Sequence, residues 1–282
     1  ILERLQKLGE WQYKMIASTE GDVPNIGAND GAMLETLHNQ DYRDFRPSTQ
    51  LFFGVLLKQK IYENTECDEP LFWRYPVRYR TFSFHTITLP KAEILDDQFL
   101  ILRSAKTRIF LKIPSNHFRP SASDAFHLDL WHHGENLLGD SGSYSYNAGE
   151  ETAWYKSVRA HNTVQIGDAE QMPKISRFLY GNWITADQSM TLDVQEDTVV
   201  WSGSYTDYRR NTHRRTVKWV EKKNQITVTD EVKKDNQEMV SLYWHLNSGD
   251  LPQEILLVRG GEGRILQPEA LTTEYSLYYL EK

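Results

Sequence analysis

Between Asp140 and Val164 the chain gathers Asp140, Tyr144, Tyr146, His161 and Asn162. They lie in Asp140-Ser141-Gly142-Ser143-Tyr144-Ser145-Tyr146 and in Trp154-Tyr155-Lys156-Ser157-Val158-Arg159-Ala160-His161-Asn162-Thr163-Val164. Imidazole and carboxylate are metal ligands, a phenol moves a proton once a cationic neighbour lowers its pKa, and a carboxamide grips a carboxylate. The sharpest unit is His161-Asn162-Thr163, an imidazole beside a carboxamide at the entry to an apolar strand through Val164 and Ile166. Tyr144 and Tyr146 are expected on one strand face, and Asp140 at a strand end where side chains converge. Each also has a plainer reading: core tyrosines, and a turn aspartate bonded to its own backbone.

A second cluster holds Asp124, His127, Asp129, His132 and His133. In Phe126-His127-Leu128-Asp129-Leu130 the alternation puts His127 and Asp129 on one face, where a histidine among buried residues needs a partner. His132-His133-Gly134 reads as a hairpin tip with exposed histidines. Arg209, Arg210, Arg214 and Arg215 form a basic cluster with His213, read either as an exposed edge or as an anion site.

These residues need a scaffold. A chain of 282 residues can bury one large core, alone or with a smaller helical partner. The net charge of −7 argues against a nucleic-acid partner. No apolar run approaches the roughly 20 residues of a membrane span. Cys67 is the single cysteine, so no intrachain disulfide forms and the redox compartment stays open. The 8 Trp, 15 Tyr and 11 Phe hint at carbohydrate, since aromatic rings stack on sugar faces, or simply fill sheet faces.

Leu2, Leu5, Leu8, Trp11 and Met15 make one apolar helical stripe. The chain opens in mid-helix at Ile1, which leads us to expect a fragment or processed product. Gly21 to Gly31 reads as a loop, a short helix is expected over Met33 to Leu37, and another begins near Pro47 and runs towards Ile61. The texture changes after Glu69-Pro70. Short β-like runs come next at Phe99–Leu102, Arg108–Ile113, Ala125–Trp131, Thr163–Ile166, Thr198–Tyr205, Thr216–Val220, Gln225–Thr229 and Val240–Leu246, with a hairpin turn at Lys222-Lys223-Asn224-Gln225. Such spacing without intervening helices predicts an antiparallel β-sandwich. The expected organisation is a helical part over 1–69 and a mainly β domain over 70–282.

In this order several segments resemble the heparinase II/III family of polysaccharide lyases. Pro24-Asn25-Ile26-Gly27-Ala28-Asn29-Asp30-Gly31 and Asp41-Tyr42-Arg43-Asp44-Phe45-Arg46-Pro47 are similar to the end of its helical toroid. Arg119-Pro120, Asp124-Ala125, His127-Leu128-Asp129-Leu130-Trp131 and Asp140-Ser141-Gly142 resemble the start of its sandwich. Trp154, Ala160-His161-Asn162-Thr163-Val164, Gln171-Met172 and Arg177-Phe178 resemble the next segment of that sandwich. The resemblance covers about residue 20 to residue 246.

It implies an α/α toroid, of which 1–69 would be the last helices, followed by the sandwich, with the active site in the cleft between them. It implies β-elimination on uronate-containing acidic polysaccharides, in a protein of bacterial type, periplasmic or extracellular. Tyr146 would be the acid or base, Tyr144 its alternate, and His161 would orient substrate or metal. Asn162, Arg177, His213 and His127 become candidates for substrate binding. A structural zinc or other divalent metal would sit on Asp140 and His161. The third ligand position is Ala122 and a catalytic histidine position is Pro120, and both departures favour the alternative of a non-catalytic carbohydrate-binding or capsule-assembly protein. On this reading the offset of His127 points it to another face.

Overall fold

The computed structural model describes residues 1–32, 38–63, 65–235 and 237–247, and the backbone of 258–259 and 265–266. Helix α1 (Leu2–Met15) matches the apolar stripe, but only its C-terminal end is covered. Met15 is buried, whereas Leu2 and Leu8 are more than half exposed. Helix α2 (Arg46–Leu57) starts with a proline in its first turn, where a missing N–H costs nothing, and stops at Lys58 in the left-handed region. Ile61 therefore falls beyond it. The helix expected over Met33 to Leu37 lies outside the described residues.

Helical character outlasts the change expected at Glu69-Pro70. Pro70 stands in the first turn of α3 (Glu69–Arg74), and a 3₁₀ turn over Arg78–Thr81 comes after it. A side chain at Gly54 would collide with Leu71, so glycine is what lets α2 and α3 approach. Strands β1 (Gln59–Lys60) and β2 (Ser83–Phe84) pair in parallel beside them.

An antiparallel meander is next: β3 (Ala92–Leu95), β4 (Phe99–Arg103), β5 (Thr107–Lys112), β6 (Leu128–His132) and β7 (Glu135–Leu138). The short α4 (Glu150–Tyr155), then β8 (Val164–Ile166), β9 (Lys174–Ser176) and β10 (Leu179–Tyr180), lead into a second sheet. That sheet is β11 (Thr191–Val194), β12 (Thr198–Thr206), β13 (Thr212–Val220) and β14 (Gln225–Lys233), again antiparallel in chain order. Strand β15 (Val240–Leu242) pairs with β8. The fold is thus the expected antiparallel sandwich with a few helices ahead of it.

Its core lies between the two sheets. Leu100, Leu102, Ile109 and Leu111 face Val199, Trp201, Val217 and Trp219, all buried. The outer face of the first sheet is covered as well, because Ile101, Phe110 and Trp131 pack under Met15, Ala17 and Trp11 of the helical part. This is why β4 and β5 read as unbroken apolar runs. Strand β13 alternates instead: His213, Arg215, Val217 and Trp219 point inward, Arg214 and Lys218 outward.

Turns fix the registers. His133 and Gly134, with φ of 52° and 85°, make the two-residue hairpin between β6 and β7. Asn224 at φ 45° closes the β13–β14 turn, as the sequence predicts. Two expected strands are corrected. Phe126 takes φ 59°, so residues 124–127 form a turn and β6 begins only at Leu128. Gly142 (φ 89°) and Tyr144 (φ 42°) break extended backbone, so 139–149 is a loop and the two tyrosines share no strand face.

Candidate active site and metal centre

The Phe126 turn decides where His127 goes. It brings the imidazole together with Asp140, just past the end of β7, and His161, between a 3₁₀ turn and β8. One ligand atom from each of the three lies within 4.8 Å of the others, and all three residues are buried. His161 Nδ1 is 2.9 Å from Asp140 Oδ2, and His127 Nε2 is 3.9 Å from the same oxygen. The third member of the cluster is therefore His127, which points to the same face as Asp140 and His161. Residue 122 supplies only a buried methyl group.

The electrostatics favour a charged centre. Burial opposes ionisation of Asp140, but the charge and hydrogen bond of His161, with His127 beside it, hold the carboxyl below its ordinary range. Burial likewise pulls His161 down, and Asp140 outweighs it, so the imidazole holds its proton more tightly than a free one. His127 Nε2, His161 Nε2 and Asp129 Oδ2 are buried without a hydrogen-bond partner among the described residues. Burial pushes the Asp129 carboxyl up, although Trp131 Nε1 and Asn136 Nδ2 both donate to its Oδ1.

Two imidazoles and a carboxylate are the donor set of a zinc site with one position left for water. Orphaned donor atoms at its heart fit a divalent cation. His127 Nδ1 accepts the Asn162 N–H at 3.0 Å, which places the imidazole proton on Nε2. A cation held by these residues would displace the extra proton that His161 keeps beside Asp140, so loading the site would release protons.

Around this centre the chain is tied down. Asn162 is wholly buried, and its amide donates to Leu128 O at 2.8 Å and Gly139 O at 3.1 Å while accepting the His245 N–H at 2.5 Å. Asn162 thus staples three segments and presents no free amide to a substrate. Arg215, with no exposed surface, donates through one nitrogen to Phe126 O at 2.6 Å and Asn162 O at 2.7 Å. It clamps the backbone just before His127 and just after His161.

Asp230 holds the other side of that guanidinium at 2.7 and 2.9 Å and accepts from His213 Nε2 at 2.8 Å. The Arg215 charge and these hydrogen bonds overcome burial and keep Asp230 far below the carboxylate range. His213 is buried between the sheets against Phe126 and Tyr205. Burial pulls its pKa down. Neither His213 nor His127 has surface with which to meet a polysaccharide, and Arg215 belongs to no exposed basic edge. Arg214 is exposed, Arg209 pairs with Glu238, and His133 stands at its hairpin tip as expected.

Tyr146 belongs to a different surface. Its hydroxyl donates to Asp30, on the loop of the helical part. That loop is held to the 139–149 segment by Asn29 N to Ser143 Oγ (3.1 Å) and braced by Tyr42 Oη to Asn29 Oδ1 (2.6 Å). The Tyr146 ring meets Phe178 edge-on at 5.9 Å. The Lys156 ammonium lies 5.2 Å above the Tyr146 ring and 5.0 Å above Phe178. Arg119 also lies over Phe178, at 5.6 Å, and Arg177 donates to Asn147 Oδ1 at 2.6 Å. Tyr144 turns elsewhere, its ring 5.9 Å from Tyr155.

Sequence reasoning placed Arg177 here but missed Lys156, Arg119 and Phe178, although all three lie in or beside the segments that carry the family resemblance. It also missed Arg215 and Asp230. The signal for that pair was an arginine at an inward position of β13, directly opposite an acid on β14.

The model of the family described as heparinase II/III-like, C-terminal, matches residues 91–273. The chain is similar in fold to a structure named Heparinase III-BT4657 gene product, with TM-score 0.60 and 17% identity over 86% of this chain and 34% of that one. It is similar to the heparan sulfate lyase HepC from Pedobacter heparinus, with TM-score 0.56 and 16% identity over 83% of this chain and 33% of the other. A structure named Heparinase III gives TM-score 0.61 and 18% identity over 88% and 37%. The chain spans about a third of the length of these proteins. No curated sequence matches it. No described helix is long and apolar enough to cross a membrane. With its sandwich core and the His127, Asp140, His161 centre both inside the matched segment, the chain belongs to the heparinase II/III-like C-terminal family.

Proposed function

We propose that this chain forms the sandwich wall of a polysaccharide lyase cleft and acts on uronate-containing acidic glycans by β-elimination. The observation that carries the reading is Tyr146, a half-buried phenol bonded to Asp30 from the helical part. Lys156 lies over its ring, Arg119 lies over the adjoining Phe178, and Arg177 is bonded to the next residue, Asn147. The proton to be removed is on C5 of the uronate, and its acidity is poor while the neighbouring carboxylate keeps its charge. Cations beside that carboxylate stabilise the enolate-like intermediate. The C5–H electron pair forms the C4=C5 double bond as the C4–O bond breaks, and a phenol supplies the proton that the leaving oxygen needs. Tyr146 either accepts the C5 proton or gives a proton to the leaving oxygen, and in a syn elimination it does both in turn, with Asp30 as its hydrogen-bond partner.

The family relation supports this reading, and the neighbours' names make heparan-type glycans the first substrates to test. A divalent cation, when bound by His127, Asp140 and His161, cross-links the segments that lead to the rim; the rim residues do the chemistry. A periplasmic or extracellular location follows from the proposed substrate. A non-catalytic acidic-glycan-binding role is the second reading, favoured because neither Pro120 nor Ala122 carries a titratable side chain.

Ultraviolet absorbance during incubation with heparan sulfate, heparin, hyaluronan, chondroitin and alginate separates the two. β-Elimination leaves a conjugated double bond, which hydrolysis does not. A rise with this chain or with the complete gene product supports the lyase. No rise from either, on any of the five, moves the assignment to binding.

A further inference from the structure

We propose that Lys156, Arg119, Lys174 and Arg177 form a subsite for an oxyanion, carboxylate or sulfate, carried by a sugar ring that lies against Phe178, with Lys156 as its specificity-determining residue. The inference rests on the lyase-cleft reading and names the groups that read substrate charge there.

Lys156 is the unusual member. It is only 7% exposed, and lysine is seldom buried without a carboxylate to pair with. Among the described residues it makes no ion pair, and neither do Arg119, Lys174 or Arg177. Its ammonium sits over two ring faces instead, those of Tyr146 and Phe178. The cost shows in its proton affinity: burial first, then Lys174, Arg177 and Arg119, push the Lys156 pKa below that of a free lysine.

Four cations from three segments, Lys174 and Arg177 sharing the β9–β10 hairpin, thus act together in a chain that has 39 acids for 32 Lys and Arg. The acids are spent elsewhere, and no described one pairs with these four. An oxyanion entering the cluster offsets the repulsion that the other three exert on Lys156. The neighbouring surface fixes the rest of the ligand. Phe178, whose ring lies under Lys156 and Arg119, is 44% exposed, an apolar face beside the charge. A pyranose ring with an anionic substituent presents such a pair, an apolar face and a charged edge. A nucleic-acid strand would bring its many charges against a chain of net −7.

Calorimetric titration of the chain with oligosaccharides of heparan sulfate, hyaluronan and alginate tests this, with a neutral glucan and an oligonucleotide of equal charge as controls. We expect binding of at least one acidic oligosaccharide and of neither control. Lys156→Met should weaken binding about tenfold or more, as losing one hydrogen-bonded charge implies, while Lys156→Arg retains most of it. Phe178→Ala should weaken it severalfold, and Arg214→Gln, on the exposed face of β13, should leave it unchanged. Melting curves confirm that each variant is folded.

Unchanged affinity in Lys156→Met, equal affinity for the oligonucleotide, or no binding of any acidic oligosaccharide overturns the subsite. The lyase reading fails separately: binding that depends on Lys156, with no conjugated double bond from any substrate, supports the subsite and rejects catalysis. Elimination with the same KM in wild type and Lys156→Met keeps the lyase and rejects the subsite.

Discussion

The two polar regions of this molecule are built on opposite principles. Around His127, Asp140 and His161 the side chains are closed from solvent, and Arg215 and Asn162 bind the backbones on either side. Around Tyr146 the groups come from separate segments, Phe178 is 44% exposed, and Lys156 has no acidic partner among the described residues. In the first region most polar atoms are satisfied by the protein, and His127 Nε2, His161 Nε2 and Asp129 Oδ2 are the ones a cation would take up. In the second, charge is left for something outside the chain. Burial therefore separates residues that hold the fold from residues proposed to meet a ligand, although both sets carry the same chemical types.

The comparison breaks most sharply at Tyr146. Tyr146→Phe should lower the elimination rate by about 10²–10⁴ and change glycan affinity little, the signature of a proton-transfer group. If affinity and rate fall together, Tyr146 binds and does not react.

In the closed region, Asp230→Asn leaves Arg215 and His213 buried without their counter-charge. We expect a loss of about 3–5 kcal/mol, measured by urea unfolding. Zinc should raise the melting temperature of the wild type and release protons in weakly buffered solution, and Asp140→Asn should abolish both effects.

Acid should act on the closed region as well. Burial pulls His245 down to about 4, with the charge of His161 adding to it, while in the unfolded chain it titrates near 6.5. The unfolded state takes the proton first, so this contribution is complete above pH 6.5 and is lost as pH falls towards 4. His213, also held below its ordinary value, acts in the same direction from the same upper limit. His161 has the opposite sign, its contribution being present at low pH and lost as pH rises through its raised pKa. Melting temperatures from pH 7 to pH 4 should fall in the wild type and fall less in a His245→Gln variant.

The smallest effect belongs to the surface. Arg159→Ala, which breaks the exposed pair with Asp168 at 3.1 Å, should cost less than about 1 kcal/mol.

The sheets were legible in the sequence because their code is local. Alternation in β13 gives each side chain's face, and His133-Gly134 and Asn224 mark the hairpins. The candidate metal centre was half legible. Asp140 and His161 came from the family resemblance, but the left-handed Phe126 that turns His127 towards them has no local signature in an apolar run. Asn162 and His213 are polar and aptly placed in sequence, yet only packing shows that both are enclosed. Lys156 was invisible for the converse reason: its meaning lies in Arg119, Lys174 and Arg177, between 18 and 37 residues away along the chain.

The division between the closed centre and the open rim is tested most directly by measuring acidic-oligosaccharide affinity in Asp140→Asn and Lys156→Met, each at a temperature where it is folded. The account predicts that Asp140→Asn keeps wild-type affinity despite its lower melting temperature, and that Lys156→Met loses about tenfold while melting like the wild type. The reverse pattern, with affinity lost in Asp140→Asn and kept in Lys156→Met, would contradict it.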